Sequence, residues 1–138
     1  MRKMALDVGD ARIGIATSDP MGIIAGPGET YKVSGNKDAD YKYFAEYAHN
    51  KQCDTIVIGL PLNMDGTEGD RVAKTRLFAE ELSAYTDLKI VFQDERLSTV
   101  SAEKMLIESG VRREKRKNVV DKVAASIILQ SYLDRINR

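Results

Sequence analysis

The sequence contains no tryptophan, three prolines, and a single cysteine and histidine among its 138 residues. One cysteine, Cys53, excludes an internal disulfide and a cysteine-rich zinc site, and its place before the apolar run 56–58 predicts a buried, reduced thiol. Because His49 is the one histidine, a Ser-His-Asp catalytic set could be built only around it. Its position off the apolar stripe of its helix predicts a solvated residue. Phosphate-binding GxxxxGK(S/T) and dinucleotide-binding GxGxxG sequences are also absent.

Long apolar runs are missing as well. No segment is long enough to cross a bilayer, and Asp7 interrupts the first apolar run too early for a secretory leader. We therefore expect a cytoplasmic protein that does not contact a membrane. The length fits one domain (1–138) with a self-sufficient core, and no repeat or proline- or serine-rich linker divides the chain.

The net charge is zero, but the charges are unevenly distributed. Residues 1–95 carry 11 Lys or Arg against 16 Asp or Glu, whereas residues 96–138 carry 10 against 5. This asymmetry suggests that one region gathers acids while another meets a polyanion such as nucleic acid.

The hydrophobic pattern predicts strands before helices. A first strand (4–9) and its hairpin partner (13–17) are followed by a third strand made from 23–25 and 29–31. Later segments alternate between helix and strand. A helix from near Asp38, with the apolar stripe Tyr41, Phe44, Ala45 and Ala48, precedes a buried parallel strand at 55–59 and a long loop at 60–69. The remaining predicted segments are a helix at 70–85, a strand at 89–92, a helix from Ser98 or Thr99 to Gly110, a basic loop at 111–118 and a helix from Val119 to about Ile136.

This order predicts an α/β fold with a mixed five-stranded sheet. Three antiparallel strands come first, and two parallel strands follow through helical crossovers, with helices on both faces and the first strand in the centre. Ligands of such sheets bind at the carboxyl ends of the parallel strands.

Asp7 is the first candidate for chemistry, because a carboxylate within a buried strand must be neutralised by a metal, a cation or a substrate. Pairing with Arg12, or hydrogen bonds to turn amides, is the structural alternative. The adjacent acids Asp94 and Glu95 arrive at the same edge of the predicted sheet. Asp121, in the first turn of the last helix, either stabilises that helix end or reaches the sheet from the face shared with Ala125.

Three converging carboxylates provide the oxygen ligands that Mg²⁺ or Mn²⁺ prefers. Two such ions, about 3.5 to 4 Å apart, activate water and stabilise the leaving oxygen of a phosphodiester, and Asp7 is the natural bridging ligand. The basic segment is either a solvated loop or a contact to the phosphate backbone, where each cation releases condensed counterions. Its candidate contact residues are Arg112, Arg113, Lys115, Arg116 and Lys117.

Four segments in this order resemble the YqgF family, whose members are described as Holliday junction resolvases and, more recently, as pre-16S ribosomal RNA nucleases. They are ALDVG (5–9) with RIG (12–14), IGLPLNMDG (58–66), DERLST (94–99), and VDKVAA (120–125) with ILQ (128–130). The resemblance covers nearly the whole chain and implies a ribonuclease H-like fold.

The resemblance further implies a metal-dependent nuclease whose acids are Asp7, Glu95 and Asp121, with Asp94 a weaker candidate. Many ribonuclease H-like nucleases carry an acid at the end of the fourth strand, but here that strand ends in Gly59-Leu60-Pro61, so Glu95 must supply the second carboxylate. The neighbouring side chains expected to hold nucleic acid are Arg12, Asn63 and Arg96.

Two functions share this chemistry, and the expected one is 5′-end processing of pre-16S ribosomal RNA. The alternatives are resolution of Holliday junctions, which needs a two-fold dimer, and a catalytically silent module that binds nucleic acid or ribosomes. The expected partners are a structured RNA precursor or branched DNA, together with ribosomal particles, and the expected state is a monomer or weak dimer.

Overall fold

A computed structural model describes residues 1–96 and 113–137, the side chains of 113–122 excepted. Its elements, in chain order, are β1 (Arg2–Val8), β2 (Arg12–Thr17), β3 (Glu29–Lys32), α1 (Lys37–Asn50), β4 (Cys53–Leu60), α2 (Asp70–Leu82), β5 (Lys89–Asp94) and α3 (Arg113–Ile136).

The five strands form one mixed sheet in the order β3-β2-β1-β4-β5. Strands β1, β2 and β3 pair antiparallel, whereas β4 joins β1 and β5 joins β4 in parallel. The predicted topology, with β1 central, is confirmed. Consequently β1, β4 and β5 end at the same edge of the sheet.

Apolar side chains cover both faces of this sheet. On one face, Phe44 of α1 and Leu82 of α2 pack with Met4 and Leu6 of β1. On the other, α3 packs through Ile128 and its neighbours against small residues of the strands. Because β1 and β2 present alanines on this second face, α3 lies close to the strand backbones.

Two expectations about single residues are confirmed. Cys53 is buried, and burial raises the pKa of its thiol to about 11, as expected for a reduced structural cysteine. His49 is exposed on α1.

The tight β1–β2 turn depends on Gly9, whose backbone N–H donates to the Arg12 carbonyl at 3.0 Å, and a Cβ at Gly9 would lie 2.5 Å from that oxygen.

The prediction for the third strand was wrong at 23–25. Asp19 accepts hydrogen bonds from the backbone N–H groups of Met21, Ile23 and Ile24, so these groups are engaged in a compact turn instead of a ladder. Only an isolated bridge, between Ser18 and Ala25, remains there.

The predicted helix boundaries also need correction. Helix α2 ends at Leu82 and not near Tyr85, and α3 begins at Arg113 and not at Val119. The expected basic loop is therefore largely helical, because Arg, Lys and Glu favour helix even without an apolar stripe. The helix predicted to end at Gly110 lies outside the described residues. In the part of the chain that the structure describes, no helix has the length and apolarity needed to span a membrane.

Candidate active site

The candidate site lies where β1, β4 and β5 end, on the face of the sheet that α3 covers. Side chains alternate along a strand, so Asp7 shares the face of buried Ala5, and Gly59 shares that of Val57. Glu95 immediately follows β5, and its backbone N–H donates to the Leu60 carbonyl at 3.2 Å, which extends the β4–β5 pairing by one residue. The structure therefore brings Asp7 and Glu95 together, as the sequence predicted.

Gly59 makes this arrangement possible. A Cβ on Gly59 would lie only 3.0 Å from the carboxyl carbon of Glu95 and 2.6 Å from Cδ1 of Ile128. Both distances are tighter than the great majority of real Cβ contacts. The carboxyl group of Glu95 thus occupies the space that a side chain at the end of β4 would otherwise fill.

The two carboxyl groups are electrostatically coupled. Burial is the largest cause, and together with the charge of Asp7 and a hydrogen bond with it, burial raises the pKa of Glu95 to about 9. At neutral pH, and without a cation, Glu95 therefore keeps its proton and donates a hydrogen bond to the Asp7 carboxylate. In this state the Glu95 carboxyl group is neutral, and only its ionisation would add a second negative charge beside Asp7.

Asp94 has a different environment from Glu95. Partial burial opposes its ionisation, but hydrogen bonds from Arg96 outweigh that effect and lower the pKa of Asp94 below its usual value. The Arg96 guanidinium donates to Asp94 through Nε at 2.8 Å and lies within 2.8 Å through Nη2. Its third nitrogen, Nη1, donates to the Met64 carbonyl at 3.3 Å. Arg96 consequently anchors the loop after β4 to the end of β5.

That loop has its own internal hydrogen bonds. Asn63 Nδ2 donates to Thr67 Oγ1 at 2.9 Å, and Thr67 Oγ1 donates to Asp65 at 2.6 Å. Gly66 adopts a positive φ of 87°, which favours glycine. A cleft of about 340 Å³ separates the loop from β5, and Met64, Gln93, Asp94 and Arg96 line it. Of the two loop-region residues expected to contact nucleic acid, Arg96 lines this cleft, whereas Asn63 holds the loop together through Thr67.

Arg71 is a further residue near the carboxyl pair, and its position was not predicted from the sequence. It lies in the first turn of α2, its Nη2 is 3.5 Å from the carbonyl oxygen of Val8, and its charge lowers the pKa of Glu95 against the larger effects that raise it. A cation in the first turn of a helix is disfavoured by the helix dipole. That local conflict is the feature of the sequence from which its role could have been suspected.

The remaining predicted residues have the following positions. Arg12 is exposed at the start of β2. Asp121 lies in α3, one turn before Ala125 and two turns before Ile128, but its side chain is not described. Arg112 is outside the described residues. The other predicted basic contacts lie in the first turns of α3, where only the backbone is described: Arg113, Lys115, Arg116 and Lys117.

The donor set around Glu95 is chemically suited to Mg²⁺ or Mn²⁺. Asp7, and Glu95 once it has lost its proton, would supply carboxylate oxygens, and a cation would offset the repulsion between the two charges. Gln93 lies two residues before Glu95 and so points to the same side of the sheet, and its buried Oε1 receives a hydrogen bond from no described residue. Among the described side chains, which do not include Asp121, no group of three metal-ligating residues is assembled.

Comparison with solved structures supports the fold. Thermus thermophilus RuvC, alone and in complex with a Holliday junction substrate, superimposes with TM-scores of 0.55 and 0.56 at 11% sequence identity. Each match covers 99% of this chain, and 97% and 96% of the respective RuvC chain. RuvC has a ribonuclease H-like fold, so this prediction is confirmed.

Sequence comparison identifies the family. A protein from Halalkalibacterium halodurans named "Putative pre-16S rRNA nuclease" is 49% identical over 98% of this chain and 97% of its own length. A protein of the same name from Listeria monocytogenes serovar 1/2a is 46% identical over 99% of this chain and 100% of its own. The family model described as "RuvX: Holliday junction resolvase" matches residues 1–135. The chain belongs to this RuvX family, which is the YqgF family that the sequence motifs predicted.

Proposed function

We propose that this protein is a metal-dependent nuclease that hydrolyses phosphodiester bonds during 5′-end processing of pre-16S ribosomal RNA. The observation that carries the proposal is the coupled pair of carboxyl groups, Asp7 and Glu95, at the ends of β1 and β5. Relatives at 44–49% identity carry the name pre-16S rRNA nuclease with the qualifier "Putative", which favours RNA as the substrate.

Asp7 and Glu95 would hold the divalent ions, and Asp121 would complete the set from α3. Bound there, Mg²⁺ or Mn²⁺ would supply positive charge that activates water and offsets the charge developing on the phosphate. Glu95 must first lose its proton, since only the carboxylate is a ligand, so metal binding should release a proton and strengthen with rising pH.

The chain's own residues position the substrate. Arg96 and Asp94 fix the loop that walls the cleft, so the loop is held in place before substrate arrives. The basic first turns of α3 would contact the phosphate backbone through Arg113, Lys115, Arg116 and Lys117, with Arg112 next to them in sequence. We propose nucleic acid as the direct partner and a pre-ribosomal particle as its carrier.

Holliday junction resolution is the second candidate, because the family model that matches residues 1–135 is described by that activity. The two candidates differ in what they demand of the protein. A resolvase cuts two strands symmetrically and needs a pair of sites, whereas RNA trimming needs one.

The test compares both substrates under identical conditions. Purified protein is incubated with a 5′-extended 16S precursor and with a four-way DNA junction, in Mg²⁺, Mn²⁺, Ca²⁺ or chelator. We expect RNA cleavage in Mg²⁺ and Mn²⁺, none in chelator, and binding without cleavage in Ca²⁺. Asp7→Asn and Glu95→Gln should abolish cleavage, while Asp94→Asn, the matched neighbouring carboxylate, should retain it in part.

The possible results separate the candidates. Paired cuts in the junction with uncut RNA would favour the resolvase. Tight binding without cleavage of either substrate would identify a silent binding module. Full activity after exhaustive chelation would contradict the metal-dependent mechanism.

A further inference from the structure

Arg71 places a cation beside the carboxyl pair. Its Nη2 is 3.5 Å from the carbonyl oxygen of Val8, the residue that directly follows Asp7. A contact of this length is at the outer limit of a hydrogen bond, so the guanidinium can exchange it for a better acceptor at little cost. The side chain is exposed and therefore accessible to substrate.

Other arginines near this edge are engaged differently. Arg76 donates from Nε to Glu68 at 2.9 Å, and its guanidinium lies over the ring of Phe92. Arg96 is paired with Asp94. By contrast, within the described part of the chain no ion pair joins Arg71 to a carboxylate.

The surroundings favour an anion that comes from outside the protein. A guanidinium has five N–H donors in a planar fork, and the Val8 carbonyl uses one of them. The fork matches two oxygens of a phosphate group, and such a bidentate contact both binds and orients the group. The position in the first turn of α2 is unfavourable for a cation by itself, but a phosphate at the same place would interact well with both the helix end and the guanidinium.

We propose that Arg71 binds non-bridging oxygens of the substrate phosphate next to Asp7 and Glu95, and thereby places the phosphodiester that is cleaved. This inference rests on the proposed nuclease function and names a further substrate-binding residue for it. Arg71 approaches from the α2 side of the site, so phosphate would be held between this guanidinium and the carboxyl pair.

The test uses Arg71→Gln, Arg71→Lys and, as matched control on the same helix, Arg76→Gln. Binding of a fluorescent 5′-extended RNA is measured in Ca²⁺ over a range of salt concentrations. One phosphate contact contributes roughly one unit to the slope of log affinity against log salt. We therefore expect the slope for Arg71→Gln to fall by about one unit, while Arg71→Lys and Arg76→Gln keep the wild-type slope.

Cleavage in Mn²⁺ separates binding from orientation. Arg71→Gln should lower kcat/KM at least about tenfold, and Arg71→Lys should also lower it, because an ammonium keeps the charge but not the bidentate geometry. Mn²⁺ affinity in the absence of RNA should stay equal or increase in Arg71→Gln, since a like charge has been removed.

Each outcome has a defined meaning. An unchanged salt slope in Arg71→Gln, with wild-type protein that cleaves, overturns the assignment of Arg71 alone. Weaker Mn²⁺ binding in Arg71→Gln with an unaltered slope shows that Arg71 only supports the carboxyl groups. Wild-type protein that cleaves neither RNA nor DNA overturns the proposed nuclease function.

Discussion

Glu95→Gln tests the coupling of the two carboxyl groups through the stability of the metal-free protein. In the folded state the pKa of Glu95 is about 9, raised from an ordinary value of 4.5 by burial and by Asp7. Between these two values the folded protein holds a proton that the unfolded chain has released. The wild-type free energy of unfolding therefore falls as pH rises through this window, and the amide of glutamine, which does not titrate, removes the fall.

The expected size follows from one proton. A full difference of one bound proton changes the free energy of unfolding by about 1.4 kcal/mol per pH unit. From pH 6 to pH 8 the wild type should then be destabilised by up to about 2.7 kcal/mol relative to Glu95→Gln. For a chain of this size that corresponds to a relative shift of roughly 10 °C in melting temperature.

The assay is urea unfolding at a series of pH values between 5 and 9 in the presence of chelator. Asp94→Asn is the matched control, because the lowered pKa of Asp94 keeps it ionised throughout this range and its removal should shift the curve by a constant amount. Adding Mn²⁺ at pH 8 should raise the free energy of unfolding of the wild type more than that of Glu95→Gln. Parallel curves for the wild type and Glu95→Gln in chelator would refute the coupling.

Three further results are expected. Gly59→Ala should destabilise the protein by about 1–3 kcal/mol in urea unfolding and reduce cleavage, because the new methyl group would displace the Glu95 carboxyl; wild-type activity would contradict this. The double variant Gly59→Asp with Glu95→Ala should recover part of the cleavage that Glu95→Ala abolishes, and no recovery would show that the two carboxyl positions are not equivalent. Changing Arg112, Arg113 and Lys115 to alanine should weaken RNA binding and flatten its salt dependence by roughly one unit for each phosphate that is no longer neutralised, with an unaltered slope indicating a solvated segment.

The sheet could be predicted because its signals are local. Strand β4 is a short apolar run of the kind that only a fully covered parallel strand requires, and the buried positions of β1 directly precede its single carboxylate. Once the strand order is known, the meeting of Asp7 and Glu95 follows from the rule that parallel strands end at one edge. The start of α3 was placed too late in the sequence, because its charged first turns have helix propensity but no apolar stripe to mark them.

Two features of the site could not be derived from the sequence. The position of Arg71 depends on how the first turn of α2 lies over the end of β1, which is set by the packing of α2 on the sheet. The role of Arg96 likewise depends on where the loop after β4 returns, since its acceptor is the backbone of Met64. The acceptors of these side chains are distant backbone carbonyls that only the folded structure identifies, and the sequence shows no more than the unfavourable place of Arg71 in the first turn of a helix.

Near its end, where many ribonuclease H-like nucleases carry an acid, β4 of this chain has none. At the end of β4 the chain has Gly59, and the Glu95 carboxyl from the adjacent strand fills the space in front of it. Because β4 and β5 are parallel and in register, with Leu60 opposite Asp94, a side chain that is one residue beyond β5 can lean across to β4. Gly59 therefore contributes to the arrangement together with the two acids. Because Gly59 has no side chain, the Glu95 carboxyl can lie against β4, where burial and Asp7 both raise its pKa.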